Sequence, residues 1–437
     1  MDKPKQGALL TLGFGTATAM WAAAYVARLP AVMAPGWLLL PILLVCLLLG
    51  GYAAGRFARL GWAGGMKTGL VASLLNLLIL GSLLGGPAPN RIVPSALWWI
   101  PGSFLVAALL GAIGGLAGTR AAGGERERSW TALLARVAVA ATFLLLIAGG
   151  VVTGKRAGLA VVDWPNSFGY NMFLYPLARM SGDIFYEHAH RLLGSLVGLT
   201  TLVLAIHVGR VESRRPVKAL LGGAFFLVVI QGVMGGMRVT GRPTLSTSPL
   251  AMSPSVSLAA IHGVTGQIFF GFLVAAAVLL SMTWRRSGPP VARASAGTDR
   301  RLAVLLTVLL VIQITLGAIL RHMAGGLHLH IALAVVVLGV AIGSGVRAWG
   351  LYEGVLPIPK TGISLLVWAA VQVLLGIAAL IATGFSPPTG EPTVADVTIT
   401  TIHQAVGALL LAHAVVLLLW FHRLVRPDRS DASHEAA

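Results

Sequence analysis

The chain has 437 residues, of which 57% are hydrophobic and only 11% are charged, whereas about 25% of residues are charged in a soluble protein. A net charge of +18 would suggest nucleic acid binding in a soluble domain. Here the basic residues lie in connectors between long apolar runs, so we expect a membrane protein with no nucleic acid partner. The single cysteine, Cys46, excludes an intramolecular disulfide and a cysteine-based metal site.

Apolar runs long enough to cross about 30 Å of hydrocarbon recur along the whole chain. We predict an all-α polytopic membrane protein with about twelve transmembrane helices, the first of them a retained helix rather than a cleaved signal. The predicted spans are residues 8–27, 36–54, 68–86, 95–119, 132–153, 187–208, 217–237, 259–283, 302–320, 328–347, 363–383 and 402–421.

The distribution of Lys and Arg predicts the orientation of these spans. With both termini in the cytoplasm, the inner loops collect most of the basic residues, including Arg214, Arg215, Arg285, Arg286, Arg300 and Arg301. We therefore predict a bacterial-type plasma (inner) membrane protein with cytoplasmic N- and C-termini.

The connector 120-RAAGGERERSW-130 is a predicted domain boundary, because every histidine of the chain follows it. The predicted domains are 1–120, a four-span region of unknown role; 130–284 and 300–423, two four-helix halves; and 424–437, a polar cytoplasmic tail that holds His434.

The last eight spans contain an internal repeat of polar residues, which predicts two pseudo-repeated four-helix bundles. The offsets between the two halves are 140 or 141 residues. His328 would give an offset of 138, so it is the second choice to His330. The repeated residues are His190, Gln231 and His262 in the first half, and His330, Gln372 and His403 in the second.

In the predicted orientation, His190, His262, His330 and His403 all lie near the outer ends of their spans. Two imidazoles that project into a bundle core are a natural axial ligand set for haem iron. A lone membrane histidine often makes only a hydrogen bond between helices, but four at repeat positions and one depth favour ligation. The Gln-xxx-Gly segments are interpreted as helix packing, and His207, His413 and His422 as structural or interfacial.

Glu187 is the only acidic residue at a span end beside one of these histidines. It lies three residues before His190, on the same helix face. An ionisable group at this depth indicates a functional site, although Glu187 could instead only pair with Arg191. The Glu-x-x-His spacing also occurs in di-iron bundles, but the spans hold no second such motif.

The combination of Glu187, His190 and Arg191, preceded by 158-GLAVVDWPNSFG-169 and followed by histidines that head three later spans, resembles the haem A synthase family over about residues 130–423. The resemblance implies oxidation of the C8 methyl of haem O to the formyl group of haem A, for cytochrome oxidase biogenesis. The implied partners are haem O synthase and the cytochrome oxidase assembly machinery, together with membrane lipid and an unidentified electron acceptor.

Carried onto this chain, the resemblance implies that His190 and His262 hold the substrate haem O, with Glu187 as the acid at its reacting edge. His330 and His403 would hold a haem b for electron transfer. Three arginines are candidates to bind haem propionates or simply to extend towards the interface: Arg191, Arg238 and Arg321.

The chain departs from the family in two places. Loop 154–186 lacks the cysteine pair that many bacterial members carry, and loop 321–327 is very short. Three alternatives stay open: a di-haem b electron-transfer protein, a non-catalytic oxidase assembly factor, and a transporter, since internal repeats are common in transporters.

Overall fold

The computed structural model describes residues 3–86, 88–123, 127–241, 254–384 and 391–428. Within these ranges, twelve helices are long and apolar enough to cross a membrane, which confirms the predicted all-α, multi-pass membrane fold. Together with the short helix α9, which is not one of the twelve, the α-helices of the described ranges are α1 (Lys3–Arg28), α2 (Gly36–Ala58), α3 (Gly61–Leu84), α4 (Ala96–Arg120), α5 (Trp130–Gly154), α6 (Gly182–Val211), α7 (Arg215–Thr240), α8 (Val256–Leu279), α9 (Met282–Arg286), α10 (Ala296–Met323), α11 (Leu327–Gly350), α12 (Ile358–Gly384) and α13 (Val394–Leu424).

The helix ends differ from the predicted span ends by several residues, because polar capping groups extend or stop the helices. Helix α13 begins eight residues before its predicted span, at a reciprocal capping box. Asp396 N donates to Thr393 Oγ1 at 3.1 Å, and Thr393 N donates to Asp396 Oδ2 at 3.0 Å. The eighth predicted span is interrupted after Leu279, where Ser281 Oγ caps the short helix α9 by accepting from Trp284 N at 3.1 Å.

The chain divides into two compact units, residues 1–255 and 256–437. Helices α1–α7 form the first unit, and α8–α13 form the second. This division does not test the four predicted functional domains, which stay a prediction. His434, in the predicted tail, lies outside the described residues.

In the first unit, α4 packs closely against α2 and α3, and glycines allow the backbones to touch. A Cβ atom on Gly55 would lie 2.0 Å from the carbonyl oxygen of Gly115, and one on Gly114 would lie 2.1 Å from that of Leu48. Helix α1 connects this group to the next helices, because it packs against α5 and α6 as well as α2 and α3.

The connection between α5 and α6 has a folded structure that the hydropathy pattern did not predict. Strand β1 (Asn166–Ser167) pairs antiparallel with β2 (Tyr170–Asn171), and two short 3-10 turns follow, Met172–Leu174 and Leu177–Arg179. Asp163 closes the hairpin: its fully buried carboxylate accepts from Phe168 N at 2.7 Å and Gly169 N at 2.8 Å.

In the second unit, α8 packs against α10 and α13, while α10–α13 pack in sequence, with α13 also against α10. A parallel pair of strands, β3 (Val291–Arg293) and β4 (Val425–Pro427), joins the α9–α10 connection to the end of α13. The core is aliphatic and aromatic, and its fully buried members include Tyr352, Leu306, Ile358, Leu365, Leu417 and Phe421.

Candidate functional site

Glu187 lies in the second turn of α6 and is buried, with 6% of its surface exposed. Its Oε1 accepts from Arg191 Nε at 3.1 Å, one helical turn further along α6. Both side chains are 8% exposed, so this ion pair is shielded from solvent. A carboxylate at this position is tolerated because the guanidinium compensates its charge.

Arg191 also fastens the α5–α6 connection to α6. Its Nη1 donates to the carbonyl oxygens of Asp163 at 2.6 Å and Asn166 at 3.0 Å, and its Nη2 donates to that of Val161 at 3.0 Å. With the bond to Glu187, four of the five N–H donors of the guanidinium are engaged inside the protein. The segment 158–169 is therefore a loop held over the first turns of α6, and Arg191 is its anchor.

The same loop packs on α7 next to Arg238, the second candidate arginine. A Cβ atom on Gly158 would lie 2.1 Å from Arg238 Nη2, and one on Gly236 would lie 2.3 Å from the ring of Trp164. The guanidinium of Arg238 thus lies on the loop backbone, and the indole lies on α7.

His188, which the sequence analysis did not select, points into the loop rather than along the face of Glu187. It is fully buried, its Nδ1 lies 3.0 Å from Ser167 Oγ, and its ring is 5.1 Å from the ring of Tyr175. Burial is the main cause of a raised pKa of the Tyr175 hydroxyl, so this aromatic neighbour stays neutral. His188 therefore belongs to the contact between loop and helix.

His190 is half-buried and faces α5. A Cβ atom on Gly149 would lie 3.0 Å from His190 Cε1. One turn beyond His190, the missing side chain of Gly194 meets no described atom within 4 Å. The imidazole thus rests against a glycine and has open space below it, as a flat macrocycle needs.

His330 and its neighbour His328 point in different directions from the start of α11. His328 is exposed, whereas His330 is half-buried and lies against α10. Gln313 Nε2 is 3.2 Å from His330 Nδ1 and 2.9 Å from its carbonyl oxygen, and a Cβ atom on Gly317 would lie 3.1 Å from His330 Cε1. This orientation favours His330 as the inward-facing imidazole, although ligation itself stays a prediction.

His403, on α13, has the same kind of surroundings on α12. Gln372 Nε2 lies 3.4 Å from His403 Nε2, and a Cβ atom on Gly376 would lie 3.1 Å from His403 Cε1. His403 Nδ1 is buried and has no hydrogen-bond partner among the described residues.

His262 and Arg321 complete the predicted set. His262 is half-buried on α8 in the second unit, and Arg321 is exposed in the last turn of α10. No group of three or more His, Cys, Asp or Glu side chains placed to hold a metal ion occurs in the described ranges. Haem, which needs two axial imidazoles, stays the group that the sequence predicts for these histidines.

The remaining histidines make contacts typical of structural residues. His207 Nε2 lies 3.2 Å from Thr131 Oγ1 on α5. His413 Nε2 lies 2.8 Å from Ser364 Oγ, and its Nδ1 lies 2.7 Å from the carbonyl oxygen of Leu409. These contacts agree with their interpretation as residues that join helices.

Three residues under the imidazoles were missed by the sequence analysis, which interpreted the Gln-xxx-Gly segments as packing alone. The ring-contact glycines are Gly149, Gly317 and Gly376. The signal of Gly317 and Gly376 in the sequence was the Gln-xxx-Gly repeat, taken together with the histidines of the following helices, whereas Gly149 belongs to no such repeat.

Comparison with known families supports the resemblance over the middle of the chain. Residues 167–333 match the model of the COX15-CtaA family, described as cytochrome oxidase assembly protein, and this confirms the resemblance to the haem A synthase family over that segment. The matched segment runs from β1 into α11 and holds Glu187, His190, His262 and His330, while His403 lies beyond it. No curated protein matches the chain.

Proposed function

We propose that this protein is a haem A synthase-like membrane oxidoreductase that converts the C8 methyl of haem O to a formyl group for cytochrome oxidase biogenesis. The observation that carries the proposal is the buried Glu187, one helical turn before His190, inside the segment that matches the cytochrome oxidase assembly family. A purely electron-transferring haem protein has no need to bury a carboxylate there, since burial of a charge is costly.

In the proposal, His330 and His403 are the axial ligands of a haem b. Each of the two imidazoles rests on a glycine of the preceding helix, and both histidines belong to the second unit. His190, in the first unit, would be a ligand of the substrate haem O. The contact with Gly149 and the open space beside Gly194 support this role for His190.

Bound haem would supply the redox chemistry, and the protein supplies ligands, orientation and local charge. Arg191 holds the carboxylate of Glu187 in place, because its Nε donates to Oε1 while its other donors are fixed by the loop carbonyls. A carboxylate held this way can accept a proton from a group that approaches it without first reorganising its own surroundings. The loop 158–169 covers this end of α6 and limits access of water.

The proposal also includes the setting of the reaction. The protein would lie in a bacterial-type plasma membrane with cytoplasmic termini and with its haem sites near the outer face. Haem O would come from a haem O synthase, and the product would pass to the cytochrome oxidase assembly machinery. Arg191, Arg238 and Arg321 remain candidates for the propionates, although Arg191 already binds the loop.

The test is expression of the full chain in a host supplied with haem O, followed by extraction of the haems, chromatography and mass analysis. The unaltered protein should yield haem A or its hydroxylated precursor. Glu187→Gln should still contain haem but form no oxidised product, whereas Glu353→Gln, an exposed acid in the α11–α12 connection, should leave the product unchanged. Full product formation by Glu187→Gln would remove Glu187 from the reaction.

A second candidate, a di-haem b electron-transfer protein, is favoured by one observation. His330 and His403 both belong to the second unit, whereas Glu187 belongs to the first. In the same experiment this candidate predicts haem b alone in the unaltered protein and in both variants.

A further inference from the structure

A groove of about 430 Å³ opens on the second unit where α10 begins and α13 ends. Its cationic end consists of three side chains that can donate hydrogen bonds: Arg300, Arg301 and His422. The rest of the lining is an apolar stripe, one to two turns further along α10, made of Val304, Leu305 and Val308. The groove therefore combines positive charge with an apolar surface.

The cationic end lies at the depth of the phosphate groups of a bilayer. Helix α10 has 28 residues, so with a rise of about 1.5 Å per residue it is about 42 Å long. The hydrocarbon of a bilayer is about 30 Å thick, so about four residues at each end of a centred helix extend beyond it. Arg300 and Arg301 follow the first four residues of α10 and lie at this boundary, which the proposed orientation places on the cytoplasmic side.

The guanidinium of Arg300 is held in position by the end of α13. Its Nε donates to the carbonyl oxygen of Phe421 at 3.3 Å, and its Nη2 donates to the carbonyl oxygens of His422, at 3.4 Å, and Val425. These bonds use three of the five N–H donors, and Nη1 has no hydrogen-bond partner among the described residues. A guanidinium fixed in this way can bind an oxyanion with little further loss of side-chain entropy.

Arg301 carries a charge that no described side chain compensates. It is exposed and makes no hydrogen bond or ion pair within the described ranges. No described carboxylate lines the groove, because Asp299 is 1% exposed and bonded to Arg347 and Tyr352 instead. The exposed imidazole of His422 adds an N–H donor in either protonation state. The cationic end is therefore suited to an anion from outside the described chain.

The apolar stripe distinguishes a lipid from a soluble anion. Val304, Leu305 and Val308 are 45%, 45% and 51% exposed, and they follow Arg301 on one face of α10. The rise from Arg301 to Val308 is about 10 Å, over which an acyl chain can lie on the stripe. A free phosphate would leave this stripe uncovered. A zwitterionic headgroup would bring its own cation near the guanidiniums, so the charge favours an anionic lipid.

We propose that this groove is a binding site for an anionic phospholipid. Its phosphodiester accepts hydrogen bonds from Arg300 Nη1, Arg301 and the imidazole of His422, and one acyl chain lies along the apolar stripe. Because Arg300 is bonded to the last turn of α13, the lipid joins the start of α10 to the end of the helix that carries His403. The site involves no haem, so it can fail without the proposed function, and the proposed function can fail without it.

The test is photo-cross-linking of the full chain in nanodiscs of phosphatidylcholine that contain a small fraction of a probe lipid. Two probes carry the same diazirine on an acyl chain, one with a phosphatidylglycerol headgroup and the other with a phosphatidylcholine headgroup. Mass analysis compares labelling of the apolar stripe with that of Ile342 on α11, which is 46% exposed and, like Val304, lies eight residues from its end of the helix. The phosphatidylglycerol probe should label the stripe preferentially, and the phosphatidylcholine probe should not.

Arg301→Gln removes one guanidinium without breaking a contact in the described structure, and it should lower the preference for phosphatidylglycerol about fivefold. The control is Arg293→Gln, which removes an exposed arginine of β3 outside the groove and should leave the preference unchanged. Equal labelling of the stripe by both probes in the unaltered protein, or equal preference in the two variants, would overturn the site. Competition by inorganic phosphate as strong as by unlabelled phosphatidylglycerol would assign the cationic end to a soluble anion and overturn the lipid.

Discussion

Arg191 is the residue on which the most contacts of the site converge. It neutralises Glu187 and binds three carbonyl oxygens of the loop, at Val161, Asp163 and Asn166. The pairing with Glu187 could be predicted from their spacing of four residues on one helix. The contacts with the carbonyl oxygens could not be predicted, because they depend on how the loop 158–169 folds back over α6. The hydropathy pattern carries no information about this loop.

Replacement of Arg191 should therefore cost more stability than replacement of Glu187. Arg191→Met leaves a buried carboxylate unpaired and releases the loop, so we expect a loss of about 3–5 kcal/mol. Glu187→Gln keeps an acceptor for Arg191 Nε and should cost much less. Thermal unfolding of both variants in the same detergent measures this, and equal melting temperatures would contradict the anchoring role of Arg191.

The four candidate histidines show how far residue-level prediction extends. The repeat register selected His330 over His328, and the structure places His330 against α10 and His328 on the surface. The register could not show what supports each ring. Gly317 and Gly376 acquire their importance only when the neighbouring helices bring them under the imidazoles, which is a tertiary contact.

At the scale of elements, the hydropathy pattern predicted all twelve membrane helices, because a run of about 20 apolar residues has few other stable structures. The pattern did not predict features that polar interactions determine. These are the start of α13 at its capping box and the hairpin that Asp163 closes. Such features depend on individual hydrogen bonds rather than on average composition.

The glycine contacts of α4 give a prediction about how the first four helices pack. Gly114→Ala places a methyl group 2.1 Å from the carbonyl oxygen of Leu48, so α2 and α4 have to separate. We expect a loss of about 1–3 kcal/mol or more, as for other overpacked contacts. Gly102→Ala on the same helix meets nothing within 4 Å in the described structure and is the control. Equal thermal stability of the two variants would contradict this packing.

The connection after α11 contains a buried polar cluster with a predictable pH dependence. Tyr352 donates to Asp299 Oδ2 at 2.5 Å, and Arg347 Nε donates to Asp299 Oδ1 at 2.6 Å. Burial, and then the bond to Asp299, raises the pKa of Tyr352 to about 12. Because this pKa is higher in the folded state than in the unfolded chain, the stabilisation is complete below pH ~10 and is lost as pH rises towards about 12.

Tyr352→Phe removes the hydroxyl that titrates, so this variant should not show the loss of stability that the Tyr352 hydroxyl causes as the pH rises. The unaltered protein should lose on the order of 1–2 kcal/mol more than Tyr352→Phe between pH ~10 and ~12. Melting temperatures of the two proteins over this range measure the difference. Parallel curves would show that the hydroxyl of Tyr352 makes no contribution there.

At the scale of the whole molecule, the N-terminal helices are part of the first unit rather than a separate attachment. Thr11 Oγ1 donates to the carbonyl oxygen of Trp130 at 2.8 Å, and the ring of Tyr25 stacks at 5.9 Å on that of Phe185, two residues before Glu187. The sequence could not show this, because apolar helix faces do not specify their partners.

Removal of residues 1–120 should therefore destabilise α5 and α6, although these residues lie outside the segment that matches the family. We expect the shortened protein to lose haem and to aggregate. Co-expression of residues 1–120 as a separate chain should restore haem binding and prevent aggregation. Haem content and size-exclusion profiles measure the effect. A stable shortened protein with full haem content would contradict this supporting role.

The central claim is that His330 and His403 ligate a haem, and the absorption spectrum of the purified full chain tests it most directly. The reduced protein should show the α and β bands of a low-spin haem with two imidazole ligands. In a host that makes no haem O, His330→Ala and His403→Ala should each lose these bands, whereas His328→Ala should keep them. Retention of the bands in both ligand variants, or their loss in His328→Ala alone, would contradict the claim.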